Sequence, residues 1–194
     1  DTANYNTVTA DAYIDVTART VTVSAEAKSK VYGSADPALT YTCSGALVGG
    51  DTFSGVLARG AGETVGSYPI TRGTLSLSSN YTLSYVGASL TISPKALTIT
   101  ANDVSKDYGT VANLVGTEFT TDGLTEGDSV ATLTLTSTGA TADATIEGSP
   151  YPILASGAVG TRLENYQIFY VNGSLTVTRA SAGLLLTSSV AESA

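Results

Sequence analysis

Tyrosine hydroxyls and carboxylates are the groups with chemistry to offer in this chain of 194 residues: 11 Tyr and 17 Asp and Glu accompany nine Lys and Arg and no His. Two acids facing each other across a cleft could cleave a glycosidic bond, one protonating the leaving oxygen while the other attacks or activates water. Six to eight oxygens gathered in one place could hold calcium. The places to look are Asn102-Asp103, Glu26, and the Gly-Asp pairs at Asp51 and Asp128, but no Asp-x-Asp-x-Asp run gathers them. Without histidine there is no Ser-His-Asp or Cys-His nucleophile system. Ser-x-x-Lys is absent, as is a phosphate-cradling glycine loop ending in Lys. Zinc lacks its ligands. The residues therefore predict a chain that is not an enzyme and has no cofactor or metal. Lys28, Lys30, Lys95 and Lys106 are the donors to consider for a Lys–Asn isopeptide bond, and spacing selects none of them. Cys43 reads as a small half-buried strand residue, with an intermolecular disulfide as the alternative. Asn80-Tyr81-Thr82 and Asn172-Gly173-Ser174 match the N-glycosylation pattern, although a turn role accounts for both asparagines.

These residues sit in a repeat. Val21-Thr22-Val23, Tyr32-Gly33, Gly50-Asp51, Tyr68-Pro69-Ile70, Asn80-Tyr81 and Leu90-Thr91-Ile92 return in order. The second series is Leu97-Thr98-Ile99, Tyr108-Gly109, Gly127-Asp128, Tyr151-Pro152-Ile153, Asn165-Tyr166 and Leu175-Thr176-Val177. Self-similarity at a long period marks an array of supersecondary units. The offset is 76 at the Tyr-Gly pairs, 77 at the Gly-Asp pairs, 83 at Tyr-Pro-Ile and 85 at Asn-Tyr. The growth falls on Thr136 to Thr145, which reads as a lengthened hairpin. At Tyr32-Gly33 and Tyr108-Gly109 the tyrosine reads as an anchor beside a glycine with a backbone angle other residues avoid. Asn80-Tyr81 and Asn165-Tyr166 read as a turn residue followed by a core aromatic. The surplus of Tyr over Phe would also suit sugar stacking, but its concentration at repeat landmarks favours architecture.

Period-2 alternation, as in Leu97, Ile99 and Ala101 against Thr98 and Thr100, indicates half-buried strands. About six per unit are expected, in the first near 20–25, 38–43, 53–58, 66–71, 80–86 and 88–93. Asn172-Gly173 suits a type I′ turn, so Tyr166–Val171 and Ser174–Val177 should form a tight hairpin, with Tyr81–Val86 and Ser89–Ile92 alike. At most a single helical turn is expected after each Gly-Asp. The fold expectation is all-β: tandem small antiparallel sandwiches arranged end to end, immunoglobulin-like first and β-grasp-like as the alternative. The divisions are 1–18, the C-terminal hairpin of a preceding repeat; 19–94 and 95–179, the two units; and 180–194, a tail or the start of a further unit. Units of about 80 residues bury only roughly 60% of their unfolded surface, so neighbours should help to stabilise them.

The net charge of −8 leaves no basic cluster for nucleic acid or an anionic membrane. No apolar run is long enough for a membrane-spanning helix. The chain opens on Asp1, which implies a removed leader or excision from a longer protein.

The landmarks resemble the MBG domain of the YGX type, a repeat found in tandem in large secreted bacterial adhesins, including filamentous-haemagglutinin-like proteins. In the first unit the resemblance runs through Lys30-Val31-Tyr32-Gly33-Ser34-Ala35-Asp36-Pro37, Leu47 to Asp51, Gly62-Glu63 to Ile70, and Asn80-Tyr81 to Ile92. The second unit departs from it by lacking the Asp-Pro after Tyr108-Gly109-Thr110. The resemblance implies an extracellular or cell-surface, bacterial location and a structural stalk or spacer role in an adhesin or biofilm matrix protein, with no catalytic residues. Neighbouring repeats or copies of itself are the expected partners, and polysaccharide is a further candidate. Two alternatives stay open: a fibre subunit that polymerises by strand exchange at its ends, and a carbohydrate-binding module.

Overall fold

The computed structural model describes residues 9–180. In the first repeat the strands are β1 (Arg19–Ala25), β2 (Lys28–Val31), β3 (Tyr41–Ser44), β4 (Ala58–Arg59), β5 (Gly66–Thr71), β6 (Tyr81–Val86) and β7 (Ala88–Ser93). In the second they are β8 (Lys95–Ala101), β9 (Val104–Asp107), β10 (Phe119–Asp122), β11 (Ser129–Thr136), β12 (Tyr151–Thr161), β13 (Tyr166–Val171) and β14 (Gly173–Thr178). The protein is all-β. Each repeat makes a three-stranded and a four-stranded sheet, in orders β3-β1-β6 and β2-β7-β5-β4, then β10-β8-β13 and β11-β12-β14-β9. Matching the strands by their place in the repeat makes the two topologies the same.

The alternation seen in the sequence builds the core. Val21 and Val23 of β1, Leu90 and Ile92 of β7, and Ile70 of β5 are buried, as are Leu97 and Ile99 of β8, Ile153 of β12, and Leu175 and Val177 of β14. Val23, Leu57, Ile70, Leu75 and Leu90 form one cluster, so residues of both sheets of the first repeat share a core, as in a sandwich. The Tyr85 hydroxyl also joins these sheets, donating from β6 to the Ile70 carbonyl of β5 at 2.8 Å.

The strands are not simply antiparallel neighbours. β1 pairs with β6 in parallel from Arg19↔Tyr81 to Ser24↔Val86, and β8 pairs with β13 in parallel from Lys95↔Tyr166 to Thr100↔Val171. β14 runs parallel to β9 and antiparallel to β12. The hairpins expected at Asn172-Gly173 and Val86-Gly87 therefore do not form. A single residue separates β13 from β14 and β6 from β7, too few for a two-residue turn, and the chain steps into the other sheet. Gly173 has no positive φ; its Cβ would stand 2.6 Å from the Asn102 carbonyl oxygen and 2.7 Å from that of Ala101. Close backbone approach, not left-handed geometry, requires this glycine.

The strand expected at 53–58 is reduced to an isolated bridge, Ser54↔Ser76, and the short β4, while β2 and β9 are strands the alternation did not single out. Lys30 and Lys106 face the interior there, which hides the apolar pattern. No helical turn follows either Gly-Asp; short 3₁₀ turns lie at Thr138–Ala140 and Leu163–Asn165. The extra stretch Thr136 to Thr145 starts on the last residue of β11 and runs into the connection between the antiparallel β11 and β12. Residues 9–18 form no strand, with Tyr13, Ile14 and Val16 exposed. The remainder of the hairpin expected at 1–18, and the tail from 181 onward, lie outside the described residues. By compactness the described residues divide into one unit of residues 9–30, 35–62 and 66–91, and a second of residues 92–180 together with Val31–Ser34 and Glu63–Val65.

Candidate functional site

The recurring Gly-Asp and Asn-Tyr landmarks meet in space, once in each unit. In the first, Val48 to Asp51 forms a turn closed by the Asp51 N–H donating to the Val48 carbonyl at 3.1 Å. Gly49 and Gly50 have φ of 64° and 83°, the sign pattern of a type I′ turn. The Tyr81 hydroxyl enters this turn. It accepts from the Val48 N–H at 2.8 Å and donates to Asp51 Oδ2 at 2.8 Å. In the second unit Thr125 to Asp128 closes likewise at 3.1 Å, and Tyr166 accepts from the Thr125 N–H at 2.9 Å and donates to Asp128 Oδ2 at 2.6 Å. Only Gly127 has positive φ there, the type II pattern, so the glycine before the aspartate is the shared requirement. The phenol thus satisfies a backbone donor and a carboxylate at once.

The two clasps differ in burial. The Asp128 side chain is fully buried and also accepts from Tyr32 at 2.9 Å, while Arg162 reaches its Oδ1 at 3.4 Å. Tyr32 and Tyr166 meet edge to face, with ring centroids 5.4 Å apart. Burial alone would raise the Asp128 carboxyl, but hydrogen bonds from Tyr166, Tyr32 and Arg162 outweigh it and hold the group below the ordinary carboxylate range. Burial first, and the hydrogen bond to the Asp128 anion second, push the Tyr32 and Tyr166 phenols up. Asn165, also fully buried, accepts from the Val65 N–H at 2.8 Å and donates to the Arg162 carbonyl at 3.2 Å. Asp51 and Asn80 are exposed.

The remaining landmarks differ in what surrounds them. Tyr68 and Tyr151 lie over glycines: a Cβ on Gly62 would stand 2.3 Å from the Tyr68 ring, and one on Gly139 or Gly148 would be 2.6 or 2.3 Å from Tyr151. Arg59 stacks on Tyr68 at 5.6 Å from its centroid. Gly33 and Gly109 have φ of 79° and 88°. Tyr108, unlike Tyr32, is half exposed.

The lysines singled out as isopeptide donors hold other partners. Lys28 pairs with Glu26 at 3.2 Å and Lys95 donates to Thr125 Oγ1 at 3.3 Å. Lys30 is buried against Asp36 at 2.6 Å, and Arg59 binds the same carboxylate at 2.6 Å, so these two cations hold it below its ordinary range. Lys106 donates to the Thr110 carbonyl at 2.9 Å and to that of Thr141, and its charge also acts on Asp143. The extra stretch of the second repeat thus supplies an acceptor where the Asp-Pro is missing. Sequence reasoning missed both buried ammonium groups, and the departure at Asp-Pro was the signal that could have found them. Of the acids considered for calcium, Asp103 accepts from the Ser174 N–H at 2.8 Å and Glu26 from Thr40 and Lys28. Cys43 is exposed.

No curated protein and no solved structure matches the chain. A family profile matches twice, over residues 21–91 and 97–176. Both clasps and both Tyr-Gly pairs fall within those spans, and on this match the chain belongs to the MBG domain family of the YGX type.

Proposed function

We propose that this chain is a non-enzymatic, load-bearing spacer of an extracellular bacterial adhesin or matrix protein, with neighbouring repeats or copies of itself as partners. The observation that most supports the reading is the parallel pairing of strands near the two ends of each repeat. The first strand of the second repeat, β8, pairs with its penultimate strand, β13, in six consecutive positions, and its last, β14, pairs with β9 in four. β1 and β6 do the same in the first repeat. Tension drags the early strand toward the N-terminus and the late strand toward the C-terminus. Because the two are parallel, that tension shears the ladder and all its hydrogen bonds resist together. An antiparallel hairpin pulled at its open end parts one pair at a time.

Single-molecule extension tests this within one protein. Held through its chain ends, the second repeat should unfold at a clearly higher force than when held through Ser129 and Thr161, which open the β11–β12 ladder from its end. Equal forces in the two geometries, or extension at negligible force, overturn the reading.

A further inference from the structure

We propose that the half-exposed Tyr108-Gly109 edge of one copy docks onto the Val48–Asp51–Tyr81 clasp of a second copy, giving head-to-tail association. In the second unit Tyr32 is buried, donates to Asp128 at 2.9 Å and meets Tyr166 edge to face. Gly33 lies so close to Thr125 that a Cβ on it would be 2.7 Å from Oγ1. Tyr32-Gly33 has seated itself on a clasp built from a glycine turn, an aspartate and a tyrosine.

Tyr108-Gly109 offers the same donor without that seat. Tyr108 is 50% exposed, and a Cβ on Gly109 would meet nothing within 4 Å, although its φ of 88° nearly equals the 79° of Gly33. The clasp of the first unit offers the same acceptor. Asp51 holds Tyr81 through Oδ2, as Asp128 holds Tyr166, yet Asp51 is exposed, and Val48, the counterpart of Thr125 in the turn, is 58% exposed. The protein therefore carries a knob at Tyr108, with the backbone angle of the seated Gly33 at its Gly109, and an aspartate–tyrosine acceptor at Asp51 that makes the same hydrogen bonds as its counterpart from a type I′ instead of a type II turn. Since knob and acceptor are different surfaces, the contact is heterologous, and every copy added leaves one further knob or acceptor to fill. The phenol would give the anionic acceptor a charge-assisted hydrogen bond. Both surfaces are small and each copy carries −8, so the association is weak and strengthens with salt.

This rests on the spacer reading, and the two can fail separately. Light scattering of the full chain at physiological salt, up to about 1 mM, should show a mass that rises with concentration. Tyr108→Ala removes the knob and Val48→Arg blocks the acceptor; both positions are exposed, so the variants stay folded, and each alone should remain monomeric. Mixed, they should form a one-to-one dimer that grows no further, because each still carries the half the other lacks. Tyr108→Phe should associate more weakly than the wild type. A wild type that stays monomeric throughout, or variants that assemble as the wild type does, overturn the docking. Tyr108→Ala should unfold under force like the wild type, so loss of docking leaves the spacer reading standing.

Discussion

At the scale of single residues, the two clasps use the same phenol for tasks of different weight. Among the described residues, Tyr166 alone accepts from the Thr125 N–H and is one of three donors to a carboxylate closed off from water. Tyr166→Phe leaves both groups short of a partner where water cannot replace it, and should cost about 1–3 kcal/mol. Tyr81→Phe loses the same two bonds, but the exposed Asp51 rehydrates, so the loss should fall nearer about 1 kcal/mol. Urea unfolding of both variants measures the pair, and equal losses would show that burial of the aspartate is not what separates them. Asn-Tyr and Gly-Asp were legible as landmarks because turns and core aromatics restrict residue type. Their union was not, since the phenol reaches an acid 30 positions earlier in the first unit and 38 earlier in the second.

At the scale of strands, the decisive event is the step between sheets at Gly87 and Asn172. Strand alternation is local and could be read directly: Leu97, Ile99 and Ala101 are buried in turn. Which strand lies beside which is not local. Asn172-Gly173 carries the composition of a hairpin turn, yet Gly173 is held against the Ala101 and Asn102 carbonyls where a methyl group would overlap. Gly173→Ala should therefore destabilise the protein by about 1–3 kcal/mol through overpacking against backbone. A surface hairpin glycine with open space around it would show a far smaller change, so thermal unfolding of this variant separates the two arrangements.

Charge acts on the whole molecule. Glu26, Asp36, Glu118, Asp128 and Asp143 are all held below the ordinary carboxylate range. A depressed carboxyl contributes stability that is present above its unfolded value, about 4, and is lost as pH falls through the folded one. Tyr32, Tyr85 and Tyr166 are raised, so their contribution is present below the unfolded value of about 10 and lost as pH climbs through their folded values. Stability should form a plateau between these limits. Tm measured from pH 3 to 11 tests it, and Asp128→Asn should flatten the acid limb. An acid limb unchanged in that variant would remove Asp128 from the account.

Sequence by itself determined the repeat, the all-β character, the alternating core positions and the need for glycine after Tyr32 and Tyr108. Each of these is written in side-chain type over a few neighbouring positions, where sterics and period-2 geometry act without help. Only the tertiary structure decided that β1 runs parallel to β6, that Lys30 and Lys106 are buried, and that Asp128 is closed off while Asp51 is open. Those outcomes depend on segments far apart in the chain meeting across a closed sandwich. A lysine looks the same in the sequence whether its ammonium meets water, a carboxylate as at Lys30, or two carbonyls as at Lys106, and the partner that makes the difference is supplied only by the fold.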